Sequence, residues 1–183
     1  MKARRKRITS SNILHVSGIP ATGKSSFCRY LTREYGFAHY DLECYPRGWP
    51  APELISLWPS SPEDFVSELR RRYQNVVIDW GFPVHCTSIV NAFRDSGVQL
   101  IWFSGDIACA RRLFVNRGGL DPQTFDIQVA QIAESRLPNG LEAIVVDALT
   151  KDGKVRPMKE LYKGIFSSPC NERLTSRSTR CSK

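Results

Sequence analysis

The stretch Gly18-Ile19-Pro20-Ala21-Thr22-Gly23-Lys24-Ser25-Ser26, set within LHVSGIPATGKSSFCRYL (residues 14–31), decides the reading of this chain. Two glycines five residues apart are followed by a lysine and two hydroxyls. An apolar run precedes them, and Phe27, Cys28 and Leu31 follow at helical spacing. The pattern is G-x-x-x-x-G-K-[ST] between a strand and a helix. Glycine permits the backbone angles of a tight turn and the close approach of a ligand. Successive N–H groups then converge and form an anion cradle. The helix beginning near Lys24 aims its unpaired N–H groups and positive end at the same point. A nucleoside triphosphate suits this arrangement. Gly18 to Ser26 would hold it, Lys24 would add a mobile charge for the β- and γ-phosphates, and the Ser25 hydroxyl would ligate Mg²⁺.

Outward from this loop, short apolar runs alternate with helical patterns. Residues 12–17, 37–41, 75–79, 98–104 and 143–148 read as strands. Residues 24–35, 61–73, 84–95, 106–117, 122–136 and 157–166 read as helices, the second opened by Ser61-Pro62-Glu63. The order predicts an α/β domain over residues 12–166, a five-stranded parallel sheet with helices on both faces. Such sheets bind ligands beyond the carboxyl ends of their strands, so the residues just after each strand are the candidates.

The bulk properties narrow the field. At 183 residues and 42% hydrophobic content, one domain with a real core is expected. No stretch approaches the roughly 18 apolar residues of a membrane span. The charged start MKARRKRI lacks a following apolar region, so secretion is not expected. Cys28, Cys44, Cys86, Cys109, Cys170 and Cys181 form no C-x-x-C pair and read as reduced thiols, which predicts a cytoplasmic protein. Of the net charge of +8, Lys2, Arg4, Arg5, Lys6 and Arg7 carry five. Arg173, Arg177, Arg180 and Lys183, against Glu172, carry three more, so residues 8–169 are neutral. Residues 1–11 and 167–183 therefore read as basic tails. They either solvate the chain ends or make weak contacts with nucleic-acid or membrane phosphates.

Acids and arginines supply the remaining candidates. Asp79 closes the apolar strand NVVID, where its carboxylate would face the Mg²⁺ shell or an acceptor hydroxyl. Asp41, in HYDLE, ends the second strand, and Glu43 stands two residues on; together they could position a hydroxyl and the metal. The segment ACARRLFVNRGG (108–119) carries Arg111, Arg112 and Arg117, and Arg136 closes the next helix. Planar guanidinium groups match phosphate oxygens and stack on bases. A short lid bringing Arg112 and Arg117 over a nucleotide would exclude water and stabilise transferring charge. The proline-rich segment 44–64 holds Tyr45, Arg47, Trp49 and Trp58. It reads either as an acceptor pocket, with Arg47 gripping an acidic group, or as a hydrophobic cap over the sheet edge. Trp80 and His85, after Asp79, are expected to face the same cleft.

On these residues the chain resembles the P-loop NTPases and, over residues 12–166, the small P-loop kinases of the shikimate, gluconate and adenylate kinase type. Asp41-Leu42-Glu43 is similar to the Asp-x-Asp that follows strand two in shikimate kinases, and Arg136 is loosely similar to their substrate arginine. WGFPVH stands after Asp79 in place of their glycine triplet, and Arg117 is followed by Gly118-Gly119 instead of proline. GIPATGKSS is also similar to the loops of polynucleotide kinase and zeta-toxin-like kinases. The guanine motif Asn-Lys-x-Asp and the signature Leu-Ser-Gly-Gly-Gln are both absent. The resemblance implies ATP- and Mg²⁺-dependent phosphotransfer to a small-molecule hydroxyl. It implies catalytic roles for Lys24, Asp41, Asp79 and Arg117, and nucleotide contacts from residues 18–26 and Arg112. Ser25 and Asp79 would hold the metal, and Asp41, Arg47, Trp80 and Arg136 the acceptor. Two alternatives stand beside it: a nucleic-acid 5′-hydroxyl kinase that gathers phosphates with its tails, and a non-catalytic ATP-binding module.

Overall fold

The computed structural model describes residues 12–43, 48–119 and 121–166. Five strands form one sheet: β1 (Asn12–Gly18), β2 (Ala38–Asp41), β3 (Asn75–Asp79), β4 (Gln99–Ser104) and β5 (Ile144–Asp147). Their spatial order is β2-β3-β1-β4-β5, and every pairing is parallel. The helices are α1 (Lys24–Tyr35), α2 (Leu57–Ser60), α3 (Pro62–Arg72), α4 (Thr87–Asp95), α5 (Ile107–Arg117), α6 (Pro122–Glu134) and α7 (Met158–Phe166). Among the described residues, no helix is long and apolar enough to cross a membrane.

The strands are apolar on both sides because both faces are covered. Alternate side chains sort into two cores, as the two-residue period of a strand requires. On one face Ile13, Val76, Ile78, Leu100 and Trp102 pack with Phe65 and Leu69 of α3 and Val90 and Phe93 of α4. On the other, Leu14, Val16, Val77, Ile101 and Phe103 pack with Phe27 and Leu31 of α1 and Leu161 and Ile165 of α7. A third, smaller cluster sits by the loop after β1. There Ile19 meets Ala110 and Phe114 of α5, Phe125 of α6, and Leu149.

Chain order explains where a ligand fits. From β1 the chain crosses β3 to reach β2, and from β3 it crosses back over β1 to reach β4. The crossovers diverge at β1, so a crevice opens beyond its carboxyl end, where the glycine-rich loop stands.

Three stretches depart from the expected elements. The helix expected over 84–95 opens as a 3₁₀ turn, Val84–Cys86, because Pro83 enters it in extended conformation. The helix expected to reach residue 136 stops at Glu134, and Arg136 adopts a left-handed φ of 53° in the turn that follows. Within 44–64, the described part contains a 3₁₀ turn, Pro52–Ser56, running into α2. Trp49, Ala51 and Leu54 are buried in the α3/α4 core, so this part covers the sheet edge as a hydrophobic cap.

Candidate active site

The loop after β1 is built to hold its shape. Gly18 has φ +125°, and a Cβ on it would lie 2.2 Å from the Phe103 carbonyl oxygen of β4. Only glycine fits there. The Ile19 N–H donates to that same carbonyl (2.9 Å), which ties the loop's first residue to the sheet. Thr22 is fully buried, and its hydroxyl donates to the Ile19 carbonyl at 2.7 Å, closing the loop on itself. Ala21 (φ 61°) and Gly23 (φ 89°) are both left-handed. Left- and right-handed residues in alternation turn successive N–H groups to one side, which is the geometry of an anion nest.

Helix α1 begins at Lys24 with no side-chain cap on its N-terminus and no acidic residue in its first turn. By contrast, Asp106 and Asp121 cap α5 and α6. The first-turn N–H groups of α1, including those of Ser25 and Ser26, are therefore left for an anion. Lys24 folds back on the loop, where its Nζ donates to the carbonyls of Ile19 (2.9 Å) and Gly18 (3.1 Å).

Three acids gather at the ends of β2 and β3. Asp41 pairs in register with Asp79. Asp79 is 4% exposed, and its Oδ2 has no hydrogen-bond donor although it is shut off from solvent. Asp41 accepts the Glu43 N–H through Oδ1 (2.9 Å), which bends the chain out of β2. That bend carries Glu43 to the end of β3, where its Oε1 accepts the Gly81 N–H at 2.8 Å. Burial pushes Lys24 below its ordinary pKa, against the pull of the Glu43 and Asp79 carboxylates. Burial pushes Glu43 upward, against the Gly81 N–H and the Lys24 charge. In both groups burial favours the neutral form, and a polyphosphate beside Lys24 would favour its charged form.

The other expected residues divide. Arg117 ends α5 with its guanidinium over the Phe114 ring, 5.4 Å from its centre, and its charge is felt at Lys24. Arg112 donates to Cys109 Sγ at 3.0 Å. Arg111 is a structural link, gripping Asp126 through two bonds of 2.7 and 2.9 Å and joining α5 to α6. Trp80 does not present its ring to the cleft. Its side chain is buried in the α3/α4 core, 5.1 Å from Trp58 and stacked on His15 at 5.9 Å. The alternation of β3 carries through residue 80 and turns this side chain toward that core. Arg136 is not brought to the loop. It is exposed beyond α6, in a turn whose Gly140 carbonyl accepts from Arg94 at the end of α4. That is the edge where strands begin, opposite the crevice. Arg47 lies outside the described residues, as do both basic tails.

The sequence placed Thr22 in the loop but did not show its hydroxyl as the loop's latch, and it gave no sign of Val155, which packs 2.6 Å from where a Gly23 Cβ would stand. Cys28 and His39 converge on Asp79. His39 shares a face of β2 with Asp41 through the two-residue period, which is the one local sign of its place.

No family model matches the sequence, and no curated protein matches it. Solved structures do. A gluconokinase from Sinorhizobium meliloti 1021 is 17% identical, with a TM-score of 0.58 over 94% of this chain and 99% of its own. A sugar kinase from Janibacter sp. HTCC2649 is 14% identical, with a TM-score of 0.59 over 86% and 93%. A shikimate kinase from Bacteroides thetaiotaomicron is 15% identical, with a TM-score of 0.54 over 90% and 98%. With its parallel sheet, its loop between β1 and α1, and these neighbours, the chain has the fold of the small P-loop kinases.

Proposed function

We propose that this chain is an ATP-dependent phosphotransferase that moves the γ-phosphoryl group to a hydroxyl of a small molecule. The observation that carries the reading is the convergence at one sheet edge of the nest over residues 18–25, Lys24, and the acids Asp41, Glu43 and Asp79. The fold neighbours are named as gluconate, sugar and shikimate kinases, all of which phosphorylate small hydroxylated molecules, and this favours the same acceptor class here.

The residues also fit a nucleotide-bound Mg²⁺. Asp79 Oδ2 is a buried carboxylate oxygen lacking a donor, and Ser25 sits in the first turn of α1. These two would hold the ion, whose charge would offset that of the phosphate oxygens. The chain's own work is positioning and charge stabilisation. Backbone N–H groups of residues 18–26 would seat the phosphates. Lys24 would leave the Gly18 and Ile19 carbonyls for the phosphate oxygens, and Arg112 and Arg117 would close over them from α5. Asp41 or Asp79 would orient the acceptor hydroxyl and take its proton.

ADP release measured over sugars, shikimate-like acids, nucleosides and 5′-hydroxyl oligonucleotides tests the reading. One class of small-molecule acceptor is expected to stimulate release. Lys24→Ala should then lower transfer about 10²- to 10³-fold, with Tm falling by no more than about 8 °C. Stimulation by oligonucleotides alone, or full activity of Lys24→Ala with its acceptor, would overturn it.

A further inference from the structure

Beside the phosphate loop, three side chains from three elements meet: Cys28 on α1, His39 on β2 and Asp79 at the end of β3. One donor atom from each lies within 4.8 Å of the other two. His39 Nε2 is 3.4 Å from Asp79 Oδ2. Cys28 is fully buried, the Asp79 side chain is 5% exposed and that of His39 20%. Neither His39 Nε2 nor Asp79 Oδ2 has a hydrogen-bond partner, although both atoms are closed to solvent. An unsatisfied buried polar atom is costly, and two facing each other beside a thiol mark a place made for something between them.

We propose that Cys28, His39 and Asp79 form a zinc site with three protein ligands and a fourth position open to water or a ligand. The donor set selects the metal. Thiolate and imidazole are ligands for zinc, whereas magnesium and calcium take oxygen. Charge agrees: one thiolate and one carboxylate cancel the two charges of the ion, so the loaded cluster is neutral, as burial demands. The geometry is close to ready. Bonds of about 2.1 Å to nitrogen and oxygen in a tetrahedron place those atoms about 3.4 Å apart, the separation His39 and Asp79 already have. The Cys28 Sγ lies within 4.8 Å of both and would close in on the ion to complete the set.

Burial pushes the Cys28 thiol well above its ordinary pKa, so the metal-free thiol carries its proton. As the sulfur–zinc bond forms, that proton passes to solvent. The neutral His39 ring gives the Nε2 lone pair and keeps its proton on Nδ1, and Asp79 binds as the carboxylate. The loaded site would cross-link α1, β2 and β3. It does not depend on the phosphotransfer reading, but it shares Asp79 with it, so zinc and nucleotide-bound magnesium would compete.

The full chain, stripped of metal, can be titrated first with Co²⁺ and then with Zn²⁺. One equivalent of Co²⁺ should bind with a near-ultraviolet thiolate-to-cobalt band and the intense visible bands of tetrahedral cobalt. Zn²⁺ should displace it, and excess Mg²⁺ should not. Cys28→Ser should abolish the thiolate band, and His39→Gln should weaken Zn²⁺ binding about 10- to 100-fold or more. A wild-type titration with no thiolate band overturns the site, as does Cys28→Ser with the band unchanged, which would assign it to another cysteine. If Cys28→Ser does not fold, His39→Gln decides: unaltered affinity and spectra overturn the proposal. ATP-dependent transfer that survives while cobalt binding fails would leave the phosphotransfer reading standing and remove only the zinc site.

Discussion

At the scale of single residues, the phosphate loop is held open by sterics more than by attraction. Gly18 lies so close to the Phe103 carbonyl that any Cβ collides with backbone, and its φ of +125° is foreign to other residues. Gly18→Ala is therefore expected to cost about 3 kcal/mol by chemical denaturation, from overlap and strain together. The binding of an ATP analogue should fall with it, since the loop cannot keep its curvature once β1 and β4 separate. The Thr22 latch works in the same direction and more gently, because a single net hydrogen bond contributes about 1 kcal/mol. Lys24 differs from both. Its two hydrogen bonds to the Gly18 and Ile19 carbonyls contribute about 1 kcal/mol each at most, so its removal should be felt far more in transfer than in stability.

At the scale of elements, α5 and α6 form a hairpin resting on the loop. Two kinds of contact hold it. Phe125 is fully buried against Phe114, Ala110, Ile19 and Leu149, whereas the Arg111–Asp126 pair is about half exposed. Burial outweighs a solvated ion pair. Phe125→Ala should destabilise the protein by about 3–5 kcal/mol, and Arg111→Ala by less than about 1 kcal/mol. Because Ile19 belongs to the Phe125 cluster, Phe125→Ala should also weaken binding of an ATP analogue, and Arg111→Ala should not. Equal effects from the two substitutions, in melts and in a binding titration, would show that the hairpin is held otherwise.

At the scale of the whole molecule, acid stability should be governed in large part by one histidine in the central strand. His15 is 1% exposed on β1, and its Nε2–H donates to the Trp80 carbonyl at 3.1 Å. Burial pushes its pKa from 6.5 down to about 4, partly offset by that carbonyl and by the Asp79 charge. The unfolded chain takes up a proton below pH 6.5 that the folded chain refuses until about pH 4. Stability from this group is thus complete above pH 6.5 and declines by about 3 kcal/mol as the pH falls toward 4. Urea midpoints across that range measure the decline, and His15→Leu should flatten it whatever it does to the absolute value. The same strand shows how far local pattern reaches. Alternating apolar runs and 3.6-residue periods encode the β–α order, the bounds of α1 and β3, and the loop with Lys24, because each depends on residues a few positions apart. Legibility failed where neighbours come from distant segments. Trp80 follows Asp79 directly, yet the pleat turns it into the core, and the direction of α6 carries Arg136 to the wrong edge of the sheet. By itself, then, the sequence determined the elements and the phosphate loop, since short-range sterics and periodicity suffice for both. Only the tertiary structure decided that Asp79 meets Cys28 and His39, because their meeting follows from the strand order β2-β3-β1 and from which face α1 covers, and no local spacing encodes either.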